Sequence, residues 1–118
     1  VVYCPRTHAY FKHPLHPWRK LSDRGIRVAL GTDSRASNPD LSLWSEVQFL
    51  RQNFPQVSPD LLLRMATLHG AEALGLAGDT GTLEPGKRAD LACIRLAPAE
   101  SSDPYSRLFE PDSVPVSV

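Results

Sequence analysis

The sequence predicts an α/β fold, and three stretches carry that prediction. An apolar run, Val1 to Cys4, is stopped by Pro5, which removes a ladder donor and drives the residue before it toward extended geometry. A second run, Ile26 to Ser34, alternates Ile26, Val28 and Leu30 with Arg27 and Ala29, as a mostly covered strand does, and closes at Gly31 just before Asp33. Between them His16-Pro17 opens a helix with Trp18 and Leu21 three apart and Gly25 as its stop. Strand, helix, strand in this order reads as one right-handed βαβ unit, because parallel neighbours need such a crossover.

Asp33 is what this unit delivers. A carboxylate at the C-terminal mouth of a strand, after a glycine that lets another backbone approach, stands where parallel sheets keep their chemistry. The competing reading, of equal weight on these residues alone, is a loop or capping Asp satisfied by backbone N–H groups. Arg6 to Phe11, polar and aromatic without a clear period, reads as a loop that shares the mouth with Asp33 if the two strands are parallel.

The rest of the chain follows in order. Ser34 to Asn38 is a polar loop, and Asn38-Pro39-Asp40 is a helix start with cap, Pro and first-turn acid, predicting a helix to about Asn53. Leu43, Val47, Leu50 and Phe54 form its apolar face, with Trp44 beside them and Glu46, Gln48 and Arg51 on the surface. Ser58-Pro59-Asp60 repeats the start signal for a helix whose apolar face is Leu61, Leu62, Met65, Ala66 and Leu68. Gly70 then allows a bend into a shorter helix through Ala71, Leu74 and Leu76. Gly81 to Leu83 and Ala89 to Leu96 read as strands joined by Glu84-Pro85-Gly86-Lys87, where Pro followed by Gly fits a type II turn. Ala97 to Pro111 reads as loop or linker, and Val114 to Val118 as a strand. The composition places a domain change at Gly81, giving units of 1–80 and 81–118.

Composition excludes several partners. Of 118 residues, 42% are hydrophobic and 22% charged, enough for one modest core. Lys plus Arg and Asp plus Glu are both 13, so no net field favours nucleic acid or an anionic membrane surface. A small-molecule substrate is the partner class that remains. The two cysteines, Cys4 and Cys93, lack metal-knot or disulfide-scaffold spacing and read as reduced thiols in a cytosol. No run approaches the roughly 20 apolar residues of a membrane span. The first residues lack an initiator Met and the charged start of a signal peptide, so an internal piece of a longer cytoplasmic protein is expected.

Four histidines are present. His13 and His16 have a spacing that suits two ligands on one helix face, but Pro14 and Pro17 oppose a regular helix through both. His69, beside Gly70, reads as a helix-terminal hydrogen-bonding group. His8 is the best placed, as a solvent-facing or substrate-contacting group at a pocket rim. There is no phosphate loop and no nucleophile elbow, and neither cysteine is paired with a His in a spacing that reads as an activated nucleophile.

Four blocks in order add what spacing does not: Cys4-Pro5-Arg6-Thr7; Gly25 to Ser34 with Ser37-Asn38; Arg64 to Thr67 with Gly70-Ala71 and Leu74-Gly75-Leu76; and Gly81 to Leu91. Together they resemble the C-terminal part of the amidohydrolase superfamily, in its branch of cytosine, guanine and methylthioadenosine/adenosylhomocysteine deaminases and chlorohydrolases. The resemblance implies a metal-dependent (β/α)8 TIM barrel whose last two strands are Val1–Cys4 and Ile26–Asp33, followed by trailing helices and then strands of a flanking composite β domain. It implies that Asp33 contacts a divalent metal, zinc first and iron as the alternative, and shuttles a proton from the activated water to the leaving group. His8 and Ser34 fall where substrate is contacted. The His-x-His and two later His of the family, and the Glu that assists deamination, have no match here. Thr7-His8 replaces the Ser-Asn common in relatives. Arg35 replaces a small residue and either reaches an anionic substrate group or faces solvent, the latter being favoured.

The implied parent hydrolyses non-peptide C–N bonds, deaminating a cyclic amidine such as a purine or pyrimidine. Hydrolytic dechlorination and a non-catalytic amidohydrolase-like scaffold are the alternatives. The fragment alone is expected to be inactive and to bind no metal, since one carboxylate does not hold a catalytic ion. Its partners are then the N-terminal barrel segment and, in the parent, further copies of the chain. Two barrel strands taken alone leave unpaired edges and an apolar face. Light scattering on the isolated chain is therefore expected to show association, and a compact monomer would overturn that strand placement.

Overall fold

A computed structural model describes residues 1–96, 98, 102–110 and 112–116. The chain divides into two compact units, Val1–Arg88 and Ala89–Val118. The division falls after Arg88 and not at Gly81. Gly81 to Arg88 is tied back within the first unit: the Arg88 N–H donates to the Asp79 carbonyl at 2.8 Å, and Lys87 Nζ to the Ala77 carbonyl at 2.7 Å.

The first unit opens with β1 (Val2–Tyr3), α1 (Pro5–Tyr10), α2 (Trp18–Asp23) and β2 (Ala29–Leu30). β1 and β2 pair in parallel, Val2 opposite Ala29 and Tyr3 opposite Leu30, so the expected strand–helix–strand order is a parallel pair with its crossover. The regular ladder is shorter than the apolar runs. Within the second run Val28, Ala29 and Leu30 are buried while Ile26 is exposed. Gly31, just after β2, packs tightly on side chains in and just after β1: a Cβ there would stand 2.9 Å from Val2 Cγ1 and 3.1 Å from Cys4 Sγ. Gly25 ends α2 at φ +76, with its own N–H on the Ser22 carbonyl and the Ile26 N–H on the Leu21 carbonyl. This is the paired closure that a left-handed residue after a helix makes.

The segment Arg6–Phe11, expected as a loop, is mostly helix α1. Pro5 is preorganised for the first helical position, and the Arg6 N–H, an orphan of the first turn, donates to the carboxylate of Glu46 at 2.9 Å. A partner forty residues away leaves no periodic trace in the segment itself.

α3 (Leu43–Asn53), α4 (Pro59–Ala66) and α5 (Leu68–Ala73) complete the first unit. α3 ends where expected but starts at Leu43, capped by Ser42, whose Oγ accepts from the Ser45 N–H. Asn38 and Asp40 do not cap it. Asn38 Oδ1 accepts from the Leu41 N–H at 3.0 Å and Asp40 Oδ1 from the Ser42 N–H at 2.9 Å, while Leu41 adopts φ +53. Ser58 and Pro59 open α4 as the sequence predicts. The break before α5 lies at Thr67, with φ −128 and ψ −86, and Gly70 sits inside α5. The short helix expected through Leu74 and Leu76 ends at Ala73, and both leucines are exposed. The core is built from Tyr3, Trp18, Val28, Leu30, Val47, Leu50, Leu62 and Met65, all buried, with the Trp18 and Phe54 rings edge to face at 5.4 Å.

Glu84 to Lys87 forms the expected turn: the Lys87 N–H reaches the Glu84 carbonyl at 3.2 Å and Gly86 has φ +89. Of the flanking stretches expected as strands, 81–83 forms none and the second is regular only over Cys93–Arg95. In the second unit, β3 (Cys93–Arg95) pairs antiparallel with β4 (Val114–Val116), Ile94 opposite Pro115. Between them the expected linker contains helix α6 (Pro104–Leu108), capped by Asp103, which accepts from the Tyr105 and Ser106 N–H groups. Ala97 and Pro111, which bounded that linker, and Ser117 and Val118 of the last strand lie outside the described residues.

The close approach at Gly31 makes a prediction. Gly31→Ala forces β1 away from β2 or shifts Val2 and Cys4, an overpacking that costs about 1–3 kcal/mol. Gly70→Ala, whose Cβ would meet nothing within 4 Å, is expected to cost nothing comparable. Denaturant unfolding of the two variants checks this, and equal midpoints would refute it.

Candidate functional site

The C-terminal ends of β1 and β2 lie on one side of the parallel pair, and the chain leaving each meets there. Asp33 is exposed and adopts φ +59, a left-handed backbone uncommon outside glycine. Its carboxylate is held on one side: Ser37 Oγ donates to Oδ2 at 3.0 Å. Ser37 is itself 6% exposed, and its Oγ lies 3.1 Å from Thr7 Oγ1 of α1. Thr7 Oγ1 also stands 3.3 Å from the Thr32 carbonyl. The expectation that residues after β1 share a mouth with Asp33 is thus met through Thr7. Cys4 is there too. Burial, then the negative charges of Asp33 and Glu46, push its thiol up, against the backbone N–H of Asp33 that favours its charged form. Cys4 is a free, half-buried thiol.

A second network lies behind this one. Glu46, expected on the surface of α3, has 0% exposure. Its Oε2 accepts the Arg6 N–H at 2.9 Å, its Oε1 accepts from Asn38 Nδ2 at 2.6 Å, and the Arg6 guanidinium lies 3.7 Å away. Arg6 also grips Asp40 with two parallel bonds, at 2.7 and 3.2 Å. The sequence did contain a signal for Glu46: counted from Leu43, the buried side of α3 runs through positions 43, 46, 47 and 50, so a carboxylate interrupts an apolar stripe at helical spacing. Thr7, Ser37 and Asn38 carried no comparable signal, because polar residues in a loop are ordinary.

The other candidates lie differently. His8 points back into its own segment: Nε2 is 2.6 Å from the Pro14 carbonyl, and its ring packs against Tyr3, His13 and His16 at 5.8, 5.2 and 5.6 Å. Burial and then the neighbouring His8 lower the pKa of His16, which stacks on Tyr3 at 4.6 Å. Ser34 is exposed and contributes its carbonyl, which accepts the Ser37 and Asn38 N–H groups. Arg35 is exposed. His69 Nδ1 sits 2.9 Å from the Val28 carbonyl, a hydrogen-bonding role that ties α5 to the chain entering β2.

Among the described residues no group of three His, Cys, Asp or Glu side chains is placed to hold a metal ion. Asp33 fits as a single oxygen ligand, exposed and with only Oδ2 engaged; the rest of a coordination set is not supplied by these residues.

The two acids of the second network respond oppositely to pH. The Arg6 bonds, then the Ser42 N–H, hold Asp40 down to about 2 from an ordinary 3.8. Burial pushes Glu46 up from 4.5 despite the donors around it. The Asp40 contribution to stability is present above 3.8 and lost as the pH falls toward about 2. The Glu46 contribution is present below 4.5 and lost as the pH rises through its raised value. In thermal unfolding of the protein and its Asp40→Asn variant, the difference between the midpoints is expected to shrink as pH falls from 3.8 to about 2. A difference independent of pH would show that the Arg6–Asp40 pair adds nothing.

Comparison with known proteins places this geometry. A 5-methylthioadenosine/S-adenosylhomocysteine deaminase of Teredinibacter turnerae is 36% identical over 101 residues, 80% of this chain and 23% of that protein. An adenosine deaminase from Xanthomonas campestris, solved with bound zinc, superposes with a TM-score of 0.71 at 36% identity, over 80% of this chain and 23% of that one. A triazine hydrolase variant superposes with a TM-score of 0.79 at 32% identity, over 96% and 27% respectively. The chain therefore spans about a quarter of the length of the curated relatives it matches. Residues 1–116 match the profile of the amidohydrolase family, and the chain belongs to that family.

Proposed function

We propose that this chain is the C-terminal part of a metal-dependent hydrolase that deaminates a purine-like cyclic amidine, with Asp33 moving the proton. The observation that carries the reading is the state of Asp33. It stands at the mouth of a parallel strand pair, on a left-handed backbone, exposed, with one carboxylate oxygen fixed by Ser37 and the other without a partner among the described residues. Strained non-glycine backbone persists where the surroundings over-determine it, and such positions cluster at functional sites.

In this reading β1 and β2 are the last two strands of a (β/α)8 barrel, and 81–118 belongs to a flanking β domain. When bound, a divalent metal, zinc by analogy with the adenosine deaminase relative, supplies a water acidic enough to attack at neutral pH. Asp33 gives it one oxygen ligand. The carboxylate takes a proton as the water oxygen bonds to the ring carbon, then returns it to the amino group as the C–N bond breaks and ammonia leaves. Ser34, exposed in the loop after Asp33, is the substrate contact of this reading, and His8 would join it only by releasing the Pro14 carbonyl that its Nε2 now engages.

Similarity to a triazine hydrolase favours a second reading, hydrolytic displacement of a substituent such as chloride from a triazine ring. The same proton movement serves it, apart from the final transfer, since chloride leaves without a proton.

Asp33→Asn in the full-length protein is expected to lower kcat by at least about 10²-fold, the ordinary worth of a positioned base, with the thermal midpoint nearly unchanged because the side chain is exposed. Release of ammonia from aminopurines and of chloride from chlorotriazines separates the two readings. Undiminished kcat in the variant would reject Asp33 as the proton carrier.

A further inference from the structure

Ser37 is a buried hydroxyl with one proton and three oxygen neighbours. Asp33 Oδ2 is at 3.0 Å, Thr7 Oγ1 at 3.1 Å and the Ser34 carbonyl at 3.5 Å. An ionised carboxylate only accepts, so the Ser37 proton belongs to Asp33. Ser37 Oγ is then left as an acceptor toward Thr7, whose single proton is shared between Ser37 Oγ at 3.1 Å and the Thr32 carbonyl at 3.3 Å. The direction of the chain follows from counting protons: Thr7 to Ser37 to Asp33. Its far end is anchored on α1, and its near end holds an exposed side chain that would otherwise explore several rotamers.

Resting on the reading of Asp33 as the proton carrier, we infer that Ser37 is its positioning residue, with Thr7 behind it. The hydroxyl pair pins Oδ2, so that Oδ1 is the oxygen offered to the metal and the reacting water. Ser37 touches neither. It acts through Asp33, as the groups hydrogen-bonded to a ligating carboxylate do, and losing such a partner costs about 10- to 100-fold in activity or metal affinity.

The test uses the full-length protein with Ser37→Ala, Thr7→Val, Thr7→Ser and the Ser37→Ala/Thr7→Val double variant. Ser37→Ala is expected to lower kcat by about 10- to 100-fold with little change in KM. Thr7→Val should lose less, Thr7→Ser should restore what Thr7→Val loses, and the double variant should be no worse than Ser37→Ala, because both substitutions cut one chain. A readout independent of turnover comes from the metal-free protein. The carboxylate ¹³C resonance of Asp33, identified by its loss in Asp33→Asn, is expected to move in Ser37→Ala and in the double variant to the same position. Additive losses, a parallel fall of kcat, thermal midpoint and KM, or an unmoved resonance would each overturn the inference. If Asp33→Asn is inactive while Ser37→Ala is fully active, positioning fails and the proton carrier stands. If Asp33→Asn keeps its kcat, both fall.

Discussion

Two other segments converge on the carboxylate of Glu46, which has no exposed surface. It takes the Arg6 N–H from the first turn of α1 and the Asn38 amide from the loop after β2, while belonging to α3. Burying a carboxylate costs several kcal/mol even after relaxation, and each hydrogen bond to a charged group returns about 1.5–3 kcal/mol. Two strong bonds and a guanidinium at 3.7 Å leave those sums close, and the raised pKa of Glu46 shows that burial remains the larger effect. What the arrangement secures is therefore a single path for the chain. Remove the carboxylate, and the α1 turn and the 34–42 loop each lose the partner that fixes them against α3.

Asp33 depends on that fixed path from two directions. Gly31 lets β1 lie close enough to β2 for Cys4 to reach the Asp33 N–H, and Thr7, one residue after Arg6, reaches Ser37, one residue before Asn38. The two networks are thus in register, the buried one placing backbone and the nearer one orienting a side chain. The acids of the site divide by environment. Asp40 in solvent beside a bidentate Arg6 is held ionised, Glu46 in the interior is pushed toward its neutral form, and Asp33 has a single neutral donor on its carboxylate.

What could be read from the sequence was what neighbours in sequence decide. The parallel pair and its crossover, the stop at Gly25, the Ser58-Pro59 start and the Pro85-Gly86 turn are local events, and all four are present in the structure. α1 was hidden because its first N–H is satisfied by Glu46, and the start of α3 was misplaced because Asn38 and Asp40 are engaged with Glu46 and Arg6 instead of capping. The Thr67 break is a backbone choice that Gly70 nearby made look unnecessary. Helix α6 is a different kind of miss: Asp103-Pro104 is the same cap-and-Pro signal as Ser58-Pro59, overlooked amid Pro, Ser and Asp residues that suggested a linker. Position together with the resemblance singles out Asp33, whereas Ser37 bonds it across four residues and Thr7 reaches Ser37 across thirty.

A chain covering about a quarter of its relatives can still hold Asp33 in place, and the contacts explain why. The hydroxyls that reach the Asp33 carboxylate, Ser37 and behind it Thr7, and the Glu46 bonds beside them lie between Val2 of β1 and Glu46 of α3. Orientation of the carboxylate is thereby contained in one continuous stretch, whereas a coordination set is not, since no three ligating side chains come together among the described residues. Where a metal hydrolase needs both an oriented carboxylate and a charged centre to work against, the described residues orient a carboxylate and bring no such ligand set together. The oriented carboxylate is the part that β1, α1, β2 and α3 supply, through the hydroxyls of buried Ser37 and half-buried Thr7, backed by the network around buried Glu46.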